Sequence, residues 1–170
     1  MDFALKNNIK HTYSKYNIGL CSSMNEAYSL TTTNHILYAH DDMYFCKNWD
    51  IFLADEINKQ DNNLYYLTGT NISTRHGLIN FDCGATIESF DVNKFDKFCL
   101  EDSTPNLQSS HWAPHLIHKE LWHKIEGFSE EFNPGDGSDP DFCMKLWLSN
   151  VRVFKGVSKF KVYHFNSLTT

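Results

Sequence analysis

An α/β fold is predicted by three features of this chain. Apolar runs of strand length alternate with segments whose apolar residues recur at helical spacing. The run His35-Ile36-Leu37-Tyr38-Ala39 passes directly into His40-Asp41-Asp42-Met43, so a strand delivers acid groups to the carboxyl edge of a sheet, where open α/β folds bind ligands. A second acidic group, Asp136 to Asp141, sits where a Gly/Pro loop opens into a helical pattern. Neighbouring carboxylates repel unless a cation or a basic group lies between them. Oxygen ligands on a divalent ion that also touches phosphate describe a magnesium or manganese nucleotide site.

The elements follow in order. Residues 24–31 read as a short helix and 35–39 as a buried strand. Asn48 is placed to cap a helix in which Trp49, Phe52, Leu53 and Ile57 recur on one face. Leu64 to Thr68 reads as a second strand, with Gly69 at its end, and residues 70–88 read as irregular or β structure. Asp91 is the expected cap of a helix over 91–98, with Phe95 and Phe98 facing inward. Residues 99–110, polar and carrying Pro105, read as a surface loop. A strand over 112–117 precedes a helix from 119 to about 126 that Gly127 terminates. Asp139 is the expected cap of the helix that buries Phe142, Leu146 and Trp147, with Pro140 and Asp141 in its first turn. Two β-like runs, 151–154 and 160–165, close the chain.

Composition narrows the function classes. A chain of 170 residues, 41% apolar and 21% charged, has the make-up of one globular domain with a core. A net charge of −6 argues against a general nucleic-acid binder, which needs a basic face. Five cysteines, an odd number with no C-x-x-C pair, suit reduced thiols and a cytoplasmic setting better than a disulfide framework. No basic-then-apolar leader is visible, and no apolar window is long enough to span a membrane.

Taken in order, these segments resemble the GT-A type glycosyltransferases, most closely the large inverting group called family 2. Asn17-Ile18-Gly19-Leu20 with Asn25 and Ala27 is similar to the family's N-x-G … N-x-A/G segment. Ile36–Met43 resembles the strand that ends in D-x-D, Trp112–Phe132 the acceptor-side stretch that ends in G-G-F-D-E-x-F, Ser138–Phe142 the E-D-x-D-F segment, and Val162–His164 the closing V-x-H. The resemblance implies a single GT-A-like domain over 1–170: a mixed sheet flanked by helices, shortened at its amino end. The family's opening nucleotide-binding strand and helix have no counterpart in the sixteen residues before Asn17, so the expectation is a fragment, a trimmed form of the fold, or a chain whose nucleotide surface a partner or second copy completes.

The same resemblance implies transfer of a sugar, with inversion, from a nucleotide diphosphate sugar to a hydroxyl of a glycan, lipid or protein acceptor. Asp42, His164 and Asp41 would hold Mn2+ or Mg2+, and Asp139 would be the general base. Asn17, Gly19, Asn25, Asp41, Trp112, His115 and Asp141 would border the substrates. The first motif position is open between His40 and Asp41. Each residue also has a plainer reading. Asp139 and Asp141 suit an N-cap and a first-turn acid, worth roughly 0.5–1 kcal/mol each to a helix. His164 alone suits a sheet edge, and Trp122 suits a core. Rival functions are a non-catalytic glycan- or partner-binding remnant of the fold, a calcium loop at Asp136–Asp141, and a zinc site at His111, His115, His118 and His123. The calcium reading lacks the D-x-[DN]-x-[DN]-G spacing, and the zinc reading lacks H-E-x-x-H.

Overall fold

A computed structural model describes residues 2–166. In chain order the elements are α1 (Asp2–Lys6), α2 (Leu20–Tyr28), β1 (His35–Tyr38), β2 (Met43–Phe45), α3 (Trp49–Ile57), β3 (Tyr65–Ser73), β4 (Ile79–Asn80), α4 (Val92–Glu101), β5 (Leu107–Gln108), β6 (His115–His118), α5 (Lys119–Ile125), a 3-10 turn at Glu130–Phe132, α6 (Ser138–Leu148) and β7 (Val153–His164). The chain divides into two compact units: residues up to Ile36 with His118–Val151, and Leu37–Ile117 with the chain from Arg152 onward.

The first unit is helical. Its core is a ladder of rings: Tyr28 stacks on Trp122 at 5.1 Å, Trp122 meets Phe128 edge-on, and Phe128 stacks on Phe142 at 4.6 Å. Such pairs add about 0.5–1.5 kcal/mol beyond the area they bury, and they fix Trp122 as a core residue. Helix α2 begins four residues ahead of the expected start at 24. Gly19 holds φ +83°, and the side-chain oxygen of Asn133 accepts from the Cys21 amide at 3.1 Å, while Leu20 N–H donates to the Pro134 carbonyl. The cap comes from a loop more than a hundred residues away, which local sequence does not reveal. Helix α6 differs from expectation at its start too. Gly137, in the left-handed region, occupies the cap position, so Asp139 is a first-turn residue and not the cap. Phe142 and Leu146 are fully buried, as the periodicity predicts, but Trp147 is 49% exposed.

The second unit carries the mixed sheet, in the order β1-β6-β3-β7-β2, with β4 beside β3 and β5 beside β7. The division between the units cuts through β1 and β6. β3 runs parallel to β7 and antiparallel to β6, and β2 pairs antiparallel with β7. Neighbouring residues of β7 serve opposite faces. Val162 joins Leu53, Tyr65, Leu67, Leu116, Val157 and Phe160 in a cluster that α3 covers through Trp49 and Ile57. Tyr163 joins Cys46, Ile72, Cys83 and Phe95 in the cluster on the α4 side. Asp91 caps α4 as expected, accepting from Lys94 N–H at 2.9 Å. Asn48 precedes α3 as expected but takes φ 60° and makes no side-chain cap. All five cysteines are free thiols.

Three strand expectations are corrected. The runs 151–154 and 160–165 are one twelve-residue strand, β7. β2 has no counterpart in the sequence reading, and part of the expected 99–110 loop is strand β5, while its first residues extend α4. β3 does not stop at Gly69 but continues to Ser73, with a register shift against β7 at Gly69/Thr70. Gly69 is there because the backbone passes Pro114 too closely for a side chain: an added Cβ would lie 2.7 Å from Pro114 Cγ and 3.2 Å from the Phe160 ring. Gly69→Ala is therefore expected to destabilise the protein by about 1–3 kcal/mol through overpacking, read as a lower urea midpoint with unchanged slope.

Candidate metal centre

The site grows from the end of β7. Antiparallel pairing sets Met43 opposite His164, and the Phe165 amide donates to the Asp42 carbonyl at 3.1 Å. This brings the Asp42 carboxylate to the imidazole of His164, with Oδ1 3.1 Å from Nε2. His40 lies just beyond β1, and Asp41 and Asp42 form the turn that leads into β2. His40, Asp42 and His164 each offer a ligand atom, all within 4.8 Å of one another. Among the described residues no other three His, Cys, Asp or Glu side chains gather so closely.

Asp42 is buried, and a buried carboxylate is costly without a compensating partner. His164 provides one, and it and His40 are half-buried. Each imidazole has a neighbour on its remaining side. The Tyr38 hydroxyl is hydrogen-bonded to His40 Nε2 at 2.8 Å, and the Asn71 amide nitrogen lies 3.3 Å from His164 Nδ1. Behind Tyr38 stands His115, 1% exposed, its ring 4.8 Å from Tyr38 and 5.0 Å from Tyr66. Burial, reinforced by the charge of His40 when protonated, pushes His115 down to about 3. It is thus a neutral, packed ring throughout the physiological range.

The donor set tests what ion would suit the cluster. Two imidazole nitrogens and one carboxylate oxygen suit manganese or another first-row transition ion better than magnesium, which favours an all-oxygen octahedron. The residues present fit a divalent metal. Asp41, predicted to share it, is exposed in the turn before β2 and lies outside the cluster; His40 takes that position.

The other predicted residues have definite surroundings. Trp112 is 47% exposed and its ring meets that of His111. In the first unit, Asn17 accepts from the Gly19 amide at 2.9 Å, forming a turn. Asn25 clamps the residues after α5: its nitrogen donates to the Phe128 carbonyl and Glu130, and its oxygen accepts from the Phe128 amide. Asp141 accepts from the Ser129 hydroxyl at 2.6 Å and lies 4.0 Å from Lys145. Asp139 is half-buried in the first turn of α6. The residues of the calcium and zinc alternatives form no three-residue cluster among the described residues. Asn71 was not foreseen, since sheet packing, not spacing, brings it to His164; Tyr38 lies two residues before His40, a local spacing that the sequence reading did not use.

Comparison with known proteins bears on the fold. No family model and no curated protein matches the sequence. A solved structure described as GalNAc-T7 with UDP, GalNAc and Mn2+ superimposes with a TM-score of 0.68 at 12% sequence identity. The match covers 96% of this chain and 34% of that one, so the chain spans about a third of its neighbour's length. At such identity the likeness is one of fold: the chain has a GT-A-like α/β architecture. Among the described residues no helix is long and apolar enough to cross a membrane.

The depressed His115 sets a pH dependence. Its ordinary value is 6.5. Below that the unfolded chain takes up a proton that the folded protein refuses until about pH 3. Stability is therefore complete above pH 6.5 and declines on acidification, by at most about 1.4 kcal/mol per pH unit from this one group. His115→Phe is expected to flatten the stability–pH curve between pH 6.5 and 5, measured by urea unfolding of both proteins.

Proposed function

We propose that this chain is a metal-dependent glycosyltransferase domain that moves a sugar from a nucleotide diphosphate sugar to an acceptor hydroxyl on a glycan, lipid or protein. The observation that carries this reading is the His40–Asp42–His164 cluster, at the carboxyl end of a strand in a GT-A-like sheet. The likeness to a structure that holds UDP, GalNAc and Mn2+ supports it.

In this reading His40, Asp42 and His164 hold Mn2+, or less readily Mg2+. When bound, the ion supplies Lewis-acid stabilisation of the departing diphosphate. The burial of Asp42 and its pairing with His164 fix the direction of the carboxylate before substrate arrives, so little reorganisation is needed. Asp139 is assigned the general base, accepting the acceptor hydroxyl's proton as that oxygen attacks the anomeric carbon. One displacement of this kind inverts the anomeric configuration. A base must come within about 2.6–3.2 Å of the hydroxyl oxygen in the productive complex. Trp112 is an exposed ring suited to stacking on a sugar.

Titration calorimetry with MnCl2, followed by UDP and other nucleoside diphosphates, tests the metal assignment. Wild type is expected to bind Mn2+, and Asp42→Ala to lose both Mn2+ and metal-dependent nucleotide binding. Unaltered binding by the variant would refute the assignment. Asp139→Asn is expected to lower nucleotide release from a panel of nucleotide sugars by at least 100-fold while Mn2+ affinity stays as in wild type. Nucleotide binding without turnover in wild type would instead identify a non-catalytic binding domain. NMR of the product anomer decides inversion.

A further inference from the structure

The contacts of His164 specify more than proximity. The ring lies between the Asn71 amide nitrogen, 3.3 Å from Nδ1, and Asp42 Oδ1, 3.1 Å from Nε2. An amide nitrogen only donates, so Nδ1 accepts and the ring hydrogen sits on Nε2, donated to Asp42. In this tautomer Nε2 has no lone pair free for a cation beside Asp42. Binding there requires the other tautomer, with the hydrogen on Nδ1 donated to an acceptor.

Asn71 carries that acceptor. Its side chain is 5% exposed, and its Oδ1 is buried without a hydrogen-bond partner among the described residues. The amide's nitrogen and oxygen are nearly the same size, so a half-turn about χ2 exchanges them without repacking the strand. His40 needs no such device, because the Tyr38 hydroxyl on its Nε2 can donate or accept by rotating its own hydrogen.

We infer that Asn71 is a positioning residue for the metal centre, one that sets the tautomer of His164 and turns its amide from donor to acceptor when a divalent cation binds. The inference rests on the metal reading of the His40–Asp42–His164 cluster. The proton count closes: the two tautomers carry the same number of hydrogens, one leaving Nε2 and one arriving at Nδ1, so the Nε2 pair would be free for the cation. With the amide turned, the buried Oδ1 of Asn71 would accept from Nδ1 and gain the partner it lacks among the described residues.

The test compares wild type with Asn71→Asp and Asn71→Leu by 15N NMR of the histidine rings and by Mn2+ calorimetry. Zn2+ serves as the diamagnetic probe for the loaded state. In metal-free wild type His164 is expected as the Nε2–H tautomer, changing to Nδ1–H with Zn2+. Asn71→Asp offers an acceptor permanently and is expected to show Nδ1–H before any metal is added, with Mn2+ affinity at least that of wild type. Asn71→Leu offers neither donor nor acceptor, and its Mn2+ affinity is expected to fall about 10–100-fold with an unchanged circular dichroism spectrum. Wild-type affinity in Asn71→Leu, or the Nε2–H tautomer persisting in metal-free Asn71→Asp, would overturn the inference. If wild type binds no divalent cation, the metal reading fails instead, and the metal-free tautomers of wild type and Asn71→Asp still decide whether Asn71 governs the ring.

Discussion

The register of β7 against its neighbours is the constraint on which the candidate site depends. β7 is held on one side by the parallel ladder with β3 and on the other by the short antiparallel pairing with β2. Because side chains alternate along a strand, a slip of one residue would turn every β7 side chain to the opposite face. Val162 and Phe160 would leave the α3-side core, Tyr163 would leave the α4-side core, and His164 would swing away from Asp42. Two apolar clusters thus hold a polar contact in place. The burial of Val162, Phe160 and Tyr163 is what makes the 3.1 Å approach of His164 to Asp42 a fixed feature of the fold.

A polar layer continues from this contact into the sheet. Tyr38, His115 and Tyr66 form a run of touching rings, and Asn71 reaches His164 from β3. Protein interiors favour apolar contacts at such depth, so burying an imidazole, an amide and a carboxylate here costs stability. The cost is visible in His115, kept neutral by burial, and in the unpaired carbonyl of Asn71. Both are tolerable because the surrounding strands are fully packed. A sheet that retains this topology at 12% identity to its structural neighbour is specified by pattern and register more than by particular residues.

Much of this was legible in the chain. The buried strand before His40, the capped helix at Asp91, the helices at 49–57 and 119–125, and the buried pair Phe142 and Leu146 follow from local periodicity and capping chemistry. Asp42 and His164 were recognisable from their motifs, and the structure brings them together. The misreadings share a cause. α2 starts early because Asn133 and Pro134 cap it from afar. β3 passes through Gly69 because Pro114 crowds the position. Trp147 repeats at core spacing, yet it is half-exposed, since periodicity marks a face and not how widely that face is covered.

By itself, then, the sequence determined most of the element types and the presence of a carboxylate at a strand end, because these depend on neighbours within a few residues. Which groups meet was decided by tertiary structure: His40 with Asp42 and His164, Asn71 beside the His164 imidazole, β2 as a strand at all. Those pairings join segments about 90 to 120 residues apart, and register is fixed by the combined burial of a whole sheet. No short motif encodes that quantity.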